Sequence, residues 1–372
     1  MAEQVDNFLR LRREALQLRR VSAAAASAYE AERDTMLPLV DRKLIEREDL
    51  QRLIGSNPIA LMRLNHSNHA VFMANVFRYS CFGLFAQVLV WVYRAYRHHG
   101  FAGEYFPIEL AAWRAAVSEC LAPPVAAEID AVYAWMLERH EELMQLATPA
   151  ALEAERQDAA GVDCEALVQE LLQGDYAAAV ERMRPQLRDV DDLAAFYQDS
   201  LQPALREVGL RWERGLISAA DEHLATAVAE RMLATAYVAM TDKLPATTHG
   251  SAVIATAPDE SHGVGGRMVA DLLELQGWDV HFLGVDLPVA DVAALVGKLR
   301  PTFVGVSLVM PYNLMNTERL IAAVRAACPE SPPRILLGSS VLGWDQDLWR
   351  QLGADAFAPD LQTALVVADG WR

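Results

Sequence analysis

The chain has 372 residues, a formal charge of −17, and 53% hydrophobic against 22% charged residues. That length favours two or three domains, and the composition predicts packed cores rather than disorder. The negative charge argues against a standing grip on nucleic acid. Cys81, Cys120, Cys164 and Cys328 are widely spaced, with no CxxC pair, which argues against a disulfide framework or a zinc knuckle. The first twenty residues are charged and lack the apolar core of a signal peptide. The most apolar stretch, 81–93, is too short to span a bilayer, so a cytoplasmic location with no membrane contact is expected.

Residues 1–155 read as an all-α domain. Apolar periodicity predicts helices over 6–32, 57–73, 77–98, 108–120 and 126–145, punctuated by Pro107 and the pair Pro123-Pro124. Two patches stand out. One runs over 65–73 and carries His66 and His69. The other, over 91–101, carries Tyr93, Arg94, Arg97 and His98, with Tyr105, Phe106 and Trp113 beyond it. Aromatic faces beside Arg, His and Tyr suit a flat conjugated ligand bearing carboxylates. Two plainer readings compete. An aromatic stripe at helical spacing is core packing, and Arg94, Arg97, His98 and His99 are a helix end closed by Gly100.

Residues 160–246 read as four helices, at 163–173, 176–186, 191–213 and 218–242, with Asp175, Asp191 and Ser218 as N-caps. Short loops favour an antiparallel four-helix bundle. From 250 to 372 the pattern changes. Strands at 252–257, 279–283, 303–309, 334–337 and 354–358 alternate with helices at 264–276, 289–299, 314–327, 344–352 and 361–369. That alternation implies a parallel sheet, and five strands suit a flavodoxin-like, Rossmann-type α/β domain.

Three loops at strand ends carry the chemistry. Glu260-Ser261-His262-Gly263-Val264-Gly265 comes after the first strand. A histidine there can ligate a metal through one ring nitrogen while a carboxylate holds the other. Ser307-Leu308-Val309 ends the third strand and Gly338-Ser339 the fourth. All three are expected on one edge of the sheet, where open α/β folds keep ligands. As a dinucleotide loop, GVGG fails the GxGxxG spacing. His249 and His281 have no motif around them.

The pattern Asp/Glu-x-His-x-x-Gly, then Ser-x-Val, then Gly at a strand end resembles the cobalamin-binding domain of methionine synthase, the corrinoid methyl carriers and the base-off mutases. Ser339 departs from the Gly-Gly of the third element. The resemblance implies that His262 lies beneath cobalt with Glu260 as its orienting partner, and that the displaced base threads past Ser307 and Gly338. Upstream, Trp212 precedes Glu222-His223 by the W-x9-E-H spacing. This resembles the helical cap of CarH-type light-sensing cobalamin repressors, in which the Trp covers the upper face of adenosylcobalamin. There a histidine beside the Trp takes the upper position after light breaks the cobalt–carbon bond. Here Glu213 holds that place, and His223 is the alternative donor.

A helical domain before such a module resembles the photocobilins, which pair cobalamin with biliverdin in a globin-like domain. The two patches then offer His66, His69, Tyr93, Arg94, Arg97 and His98 as candidate bilin neighbours. No helix-turn-helix of the repressor kind is recognisable in the N-terminal domain. The expectation is a non-enzymatic light sensor with two chromophores and no direct nucleic-acid contact. By analogy with the repressors, its homo-oligomeric state changes with light. Two rivals stand beside it. One is a corrinoid methyl carrier. The other is a haem or tetrapyrrole redox sensor with His66, His69 or His98 as axial ligand.

Overall fold

The computed structural model describes residues 2–147, 164–244, 246–247, 249–345 and 347–372. The expected domain boundaries at 155 and 160 lie outside them. The chain divides into two compact units. One holds the described residues through Ala147 together with Glu213–Gly215, and the other holds the remainder.

The described elements of the first unit's N-terminal segment are all helical: α1 (Ala2–Ala15), α2 (Ala23–Ile45), α3 (Leu50–Ile54), α4 (Ile59–Tyr79), α5 (Phe82–His98), α6 (Tyr105–Cys120), α7 (Pro123–Glu138) and α8 (His140–Leu146). The single helix expected over 6–32 is two helices. Ser22 breaks it, because its hydroxyl accepts from the Ala25 amide as the N-cap of α2 while its own amide donates to Glu128. The helix expected over 126–145 likewise divides at Arg139. Pro107 lies inside the first turn of α6, where a missing N–H costs nothing. Gly100 adopts φ +90° after α5, as a helix-closing glycine requires.

In the second unit, α9 (Glu165–Leu172), α10 (Tyr176–Met183), α11 (Val190–Phe196), α12 (Gln202–Glu213, whose last residue falls in the first unit) and α13 (Ala219–Met240) form the helical block. The long helix expected over 191–213 is interrupted by a π turn at Tyr197–Leu201, and its cap is Asp189 rather than Asp191, accepting from the Asp192 amide. Asp175 caps α10 as expected, and Ser218 and Asp221 form a reciprocal capping box on α13.

The α/β half alternates β1 (Ser251–Thr256), α14 (Val264–Leu275), β2 (Asp279–Phe282), α15 (Val289–Leu299), β3 (Phe303–Ser307), α16 (Leu314–Ala327), β4 (Arg334–Gly338), α17 (Leu348–Gln351), β5 (Ala356–Ala358) and α18 (Leu361–Asp369). All pairings are parallel, in the order β2-β1-β3-β4-β5. The order reverses between β1 and β3, which makes their carboxyl ends the crevice of the sheet. Register sets the strand ends level: Thr256 pairs with Ser307, and Ser307 with Gly338. One apolar core joins helical block and α/β half, with Leu171, Leu201, Val228 and Met232 packed with Met268, Leu272 and Leu361.

Candidate functional site

The loop after β1 is pinned before it reaches the histidine. Thr256 Oγ1 donates to the Glu260 carbonyl and accepts from the Asp286 amide at 3.2 Å each. Asp259 sits at φ +61°, a conformation that L residues rarely adopt, with its carbonyl and carboxylate held by the side-chain amides of Asn313 and Asn316.

Glu260 is completely buried. One carboxylate oxygen accepts from the His262 amide at 3.2 Å and from His262 Nδ1–H. The other accepts from the amides of Val309 and Met310 at 3.0 and 2.7 Å. Burial pushes this carboxyl up, but the bonds to His262, Met310 and Val309 outweigh it and hold the group below its ordinary value. The same bond raises the His262 imidazole above its ordinary value against the opposing effect of burial, and the charge on Glu222 adds to the rise. The His262 side chain is 51% exposed. With Nδ1 held, the tautomer is fixed and Nε2 is the free donor atom, the arrangement a metal-ligating histidine needs.

Behind this loop a cleft of about 160 Å³ runs into the sheet, lined by Gly265, Gly266, Gly305, Ser307, Gly338 and Ser339 among others. A Cβ on Gly265 would meet nothing within 4 Å, and one on Gly338 only the Val306 carbonyl at 3.9 Å. A Cβ on Gly305 would lie 2.6 Å from Ile254, so glycine there lets the wall close behind the opening. Ser339 is turned into its own loop, accepting from the Val341 amide at 3.3 Å. An oriented imidazole beside a glycine-walled slot fits a metal complex with a long tail.

The remaining expected site residues divide. Gly263 precedes α14, and Val309 contributes its backbone amide to Glu260. Trp212 is half-buried at the end of α12. Glu222 reaches His262 through its charge and accepts from Thr226, while His223 is 82% exposed. Glu213 and Arg94, expected on different ligands, are instead each other's buried partners at 3.3 Å.

In the N-terminal helices, His66 is fully buried. Its Nδ1–H donates to Asp41 at 2.6 Å and its Nε2 accepts from the Tyr105 hydroxyl at 2.8 Å. His69 stacks on Trp113 and meets the Tyr133 hydroxyl, and burial lowers its pKa. Tyr93 stacks on Phe106 with ring centroids 3.8 Å apart and reaches His140. Arg97 donates to the Met144 carbonyl, and His98 Nδ1 to that of Arg94. Cys81 is buried, and burial raises the Cys120 thiol, so neither has the environment of a reactive thiolate.

Sequence reasoning missed the Val309 and Met310 amides, the Asp259–Asn313–Asn316 brace, and a buried carboxylate, Asp271, shared by Tyr197 and Arg267. The DE doublet before the histidine and the NxxN spacing at Asn313 and Asn316 were the available signals for the brace.

Residues 250–366 match the family model of a B12 binding domain, and residues 163–237 match a second B12 binding domain model. This part of the chain is a cobalamin-binding module, a helical block followed by a parallel α/β domain. The chain is similar to the HTH-type transcriptional repressor CarH of Myxococcus xanthus, 31% identical over 181 residues, 47% of this chain and 59% of that protein. It thus spans about three fifths of the repressor's length. It is also similar to the dimethylamine corrinoid protein of Methanosarcina barkeri, 24% identical over 197 residues, 51% of this chain and 87% of that one. Among solved structures it is similar to the Methanosarcina barkeri monomethylamine corrinoid protein, at 17% identity and a TM-score of 0.47, over 54% of this chain and 94% of that one. No helix among the described residues is long and apolar enough to cross a membrane.

Proposed function

We propose that this chain is a light sensor that holds adenosylcobalamin base-off with His262 beneath cobalt, and biliverdin in a globin-like N-terminal domain. The observation that carries it is the Glu260–His262 pair beside the glycine-walled slot, in a chain that also bears Trp212 and Glu222-His223 at the spacing of the repressors' cap. When bound, the corrinoid supplies a cobalt–carbon bond that light can break.

The protein's own work is orientation and packing. Glu260 would fix the imidazole that holds the corrinoid, Ser307 and Gly338 would admit its displaced base, and Trp212 with Glu222 would cover its light-sensitive group. A change in the group that Trp212 and Glu222 would cover would alter how the helical block packs, and so would bias a two-state equilibrium in self-association or partner contact. This requires no turnover and no DNA-binding element, and it suits a cytoplasmic protein. For the N-terminal domain, the engagement of both His66 nitrogens weighs against haem ligation by that residue.

The similarity to the dimethylamine corrinoid protein favours one second reading, a methyl carrier using the same histidine loop. Absorption spectra of the protein reconstituted with adenosylcobalamin and biliverdin, before and after green light, decide. A base-off spectrum that changes irreversibly beside a retained far-red band supports the two-chromophore sensor. A photoactive corrin without a bilin band removes biliverdin. A light-stable preference for methylcobalamin supports the carrier.

A further inference from the structure

The π turn at Tyr197–Leu201 and the residue just past it acquire a purpose when the cleft is viewed from the cap. A π turn adds a residue to one helical turn and so rotates the next helical segment by about 100° relative to an uninterrupted helix. Such turns concentrate at functional sites. This one is clamped from the α/β side. Fully buried Tyr197 donates its hydroxyl to Asp271 at 3.2 Å, and Arg267 Nε donates to the other oxygen of that carboxylate at 2.7 Å. Both Arg267 and Asp271 lie on α14, the helix that opens directly after the His262 loop. Immediately past the π turn, Gln202 is exposed and lines the cleft that runs into the sheet. It is the cap's residue in that lining.

The cleft is chemically graded. Its inner wall is apolar, with Ile254, Leu336 and Ala364, and its rim carries Gln202, Ser340 and Asp360. One oxygen of Asp360 accepts from the Thr363 amide as the N-cap of α18. A flat apolar group seated inside therefore has its polar stem at the rim, where the Gln202 amide, with two N–H donors, stands with the Ser340 hydroxyl as a neutral donor.

We propose that Gln202 is a specificity-determining residue of the cap, donating a hydrogen bond to the sugar–phosphate stem of the corrinoid's nucleotide tail. This rests on the cobalamin reading. Through the Tyr197–Asp271 clamp, the cap thereby distinguishes a corrinoid whose tail is seated from one that lacks it.

The test uses the full chain and two ligands, adenosylcobalamin and adenosylcobinamide, which lacks the nucleotide tail. Affinities are read by titration of tryptophan fluorescence. A neutral hydrogen bond is worth roughly a 3- to 10-fold change in affinity. Gln202→Leu should weaken adenosylcobalamin by about that factor and leave adenosylcobinamide unchanged, and Tyr197→Phe should act in the same tail-dependent direction. Unchanged adenosylcobalamin affinity in Gln202→Leu overturns the assignment. So does equal weakening of both ligands, which would mean a general packing defect in the cap. Wild-type protein that binds neither ligand overturns the cobalamin reading itself.

Discussion

Two histidines in this molecule obey the same first rule and differ in the second. His66 in the N-terminal helices and His262 after β1 each give Nδ1–H to a carboxylate, Asp41 and Glu260 respectively. His66 then spends Nε2 on the Tyr105 hydroxyl and is fully buried, whereas His262 keeps Nε2 uncommitted and half its side chain exposed. A carboxylate–histidine pair is therefore not by itself a ligand site. The second nitrogen decides.

The comparison is broken most directly by exchanging consequences. His262→Ala should lower corrinoid affinity by on the order of 100-fold or more, since loss of an outer-sphere partner alone costs about 10- to 100-fold, and should leave thermal stability nearly unchanged. His66→Ala should do the reverse. It leaves the buried Tyr105 hydroxyl without its acceptor and Asp41 with Arg63, destabilising its unit by about 2 kcal/mol, with corrinoid affinity unaltered. Corrinoid titration and thermal melts on both variants check this. A His66 variant that loses corrinoid binding would end the distinction.

A pH series sharpens it. A proton on Nε2 competes with a metal, and the bond to Glu260 raises the imidazole above its ordinary 6.5. Corrinoid affinity should therefore fall as pH drops through a value higher than 6.5, and His262→Ala should abolish that dependence. A profile centred below 6.5 in the wild type would contradict the pairing.

The smallest effect concerns Asp271, whose carboxyl is pushed by burial from 3.8 up to about 6. The folded state holds this proton more tightly than the unfolded chain. The stability it contributes is full below pH 3.8 and is lost as pH rises through about 6. Relative to the wild type, Asp271→Asn should gain melting temperature between pH 4 and 7 (on the order of a few degrees). A difference that stays flat across that range would rule burial out as the cause.

The α/β half was legible because parallel strands are continuous apolar runs and their loops carry the motif residues. The level ends of β1, β3 and β4 came from alternation alone. The helical block was legible in outline only. Leu193, Phe196, Tyr197, Leu201, Ala204 and Val208 keep an unbroken helical rhythm, so the π turn among them leaves no periodic trace. Asp189 outcompeted Asp191 as a cap through a geometry that both residue types allow. Glu213 was read from its place beside Trp212, and only tertiary structure could reveal that its partner is Arg94, 119 residues away. The N-terminal patches announced aromatic density correctly, but which polar atoms were already satisfied depended on contacts between helices distant in sequence.

Glu260 has a consequence for the substitutions this site can accept. An ionised carboxylate offers about four acceptor positions, and here all four meet donors: two from His262 and one each from Val309 and Met310. The residue is a saturated hub, with no vacancy for water. Glutamine, nearly identical in shape, would turn an NH2 group toward donors whichever way its amide were flipped. The constraint is one of hydrogen-bond parity rather than size or charge alone, and shortening to aspartate would withdraw the hub from one loop or the other. Two loops that are far apart in sequence thus share a single point of failure, and the histidine's orientation is inherited from it.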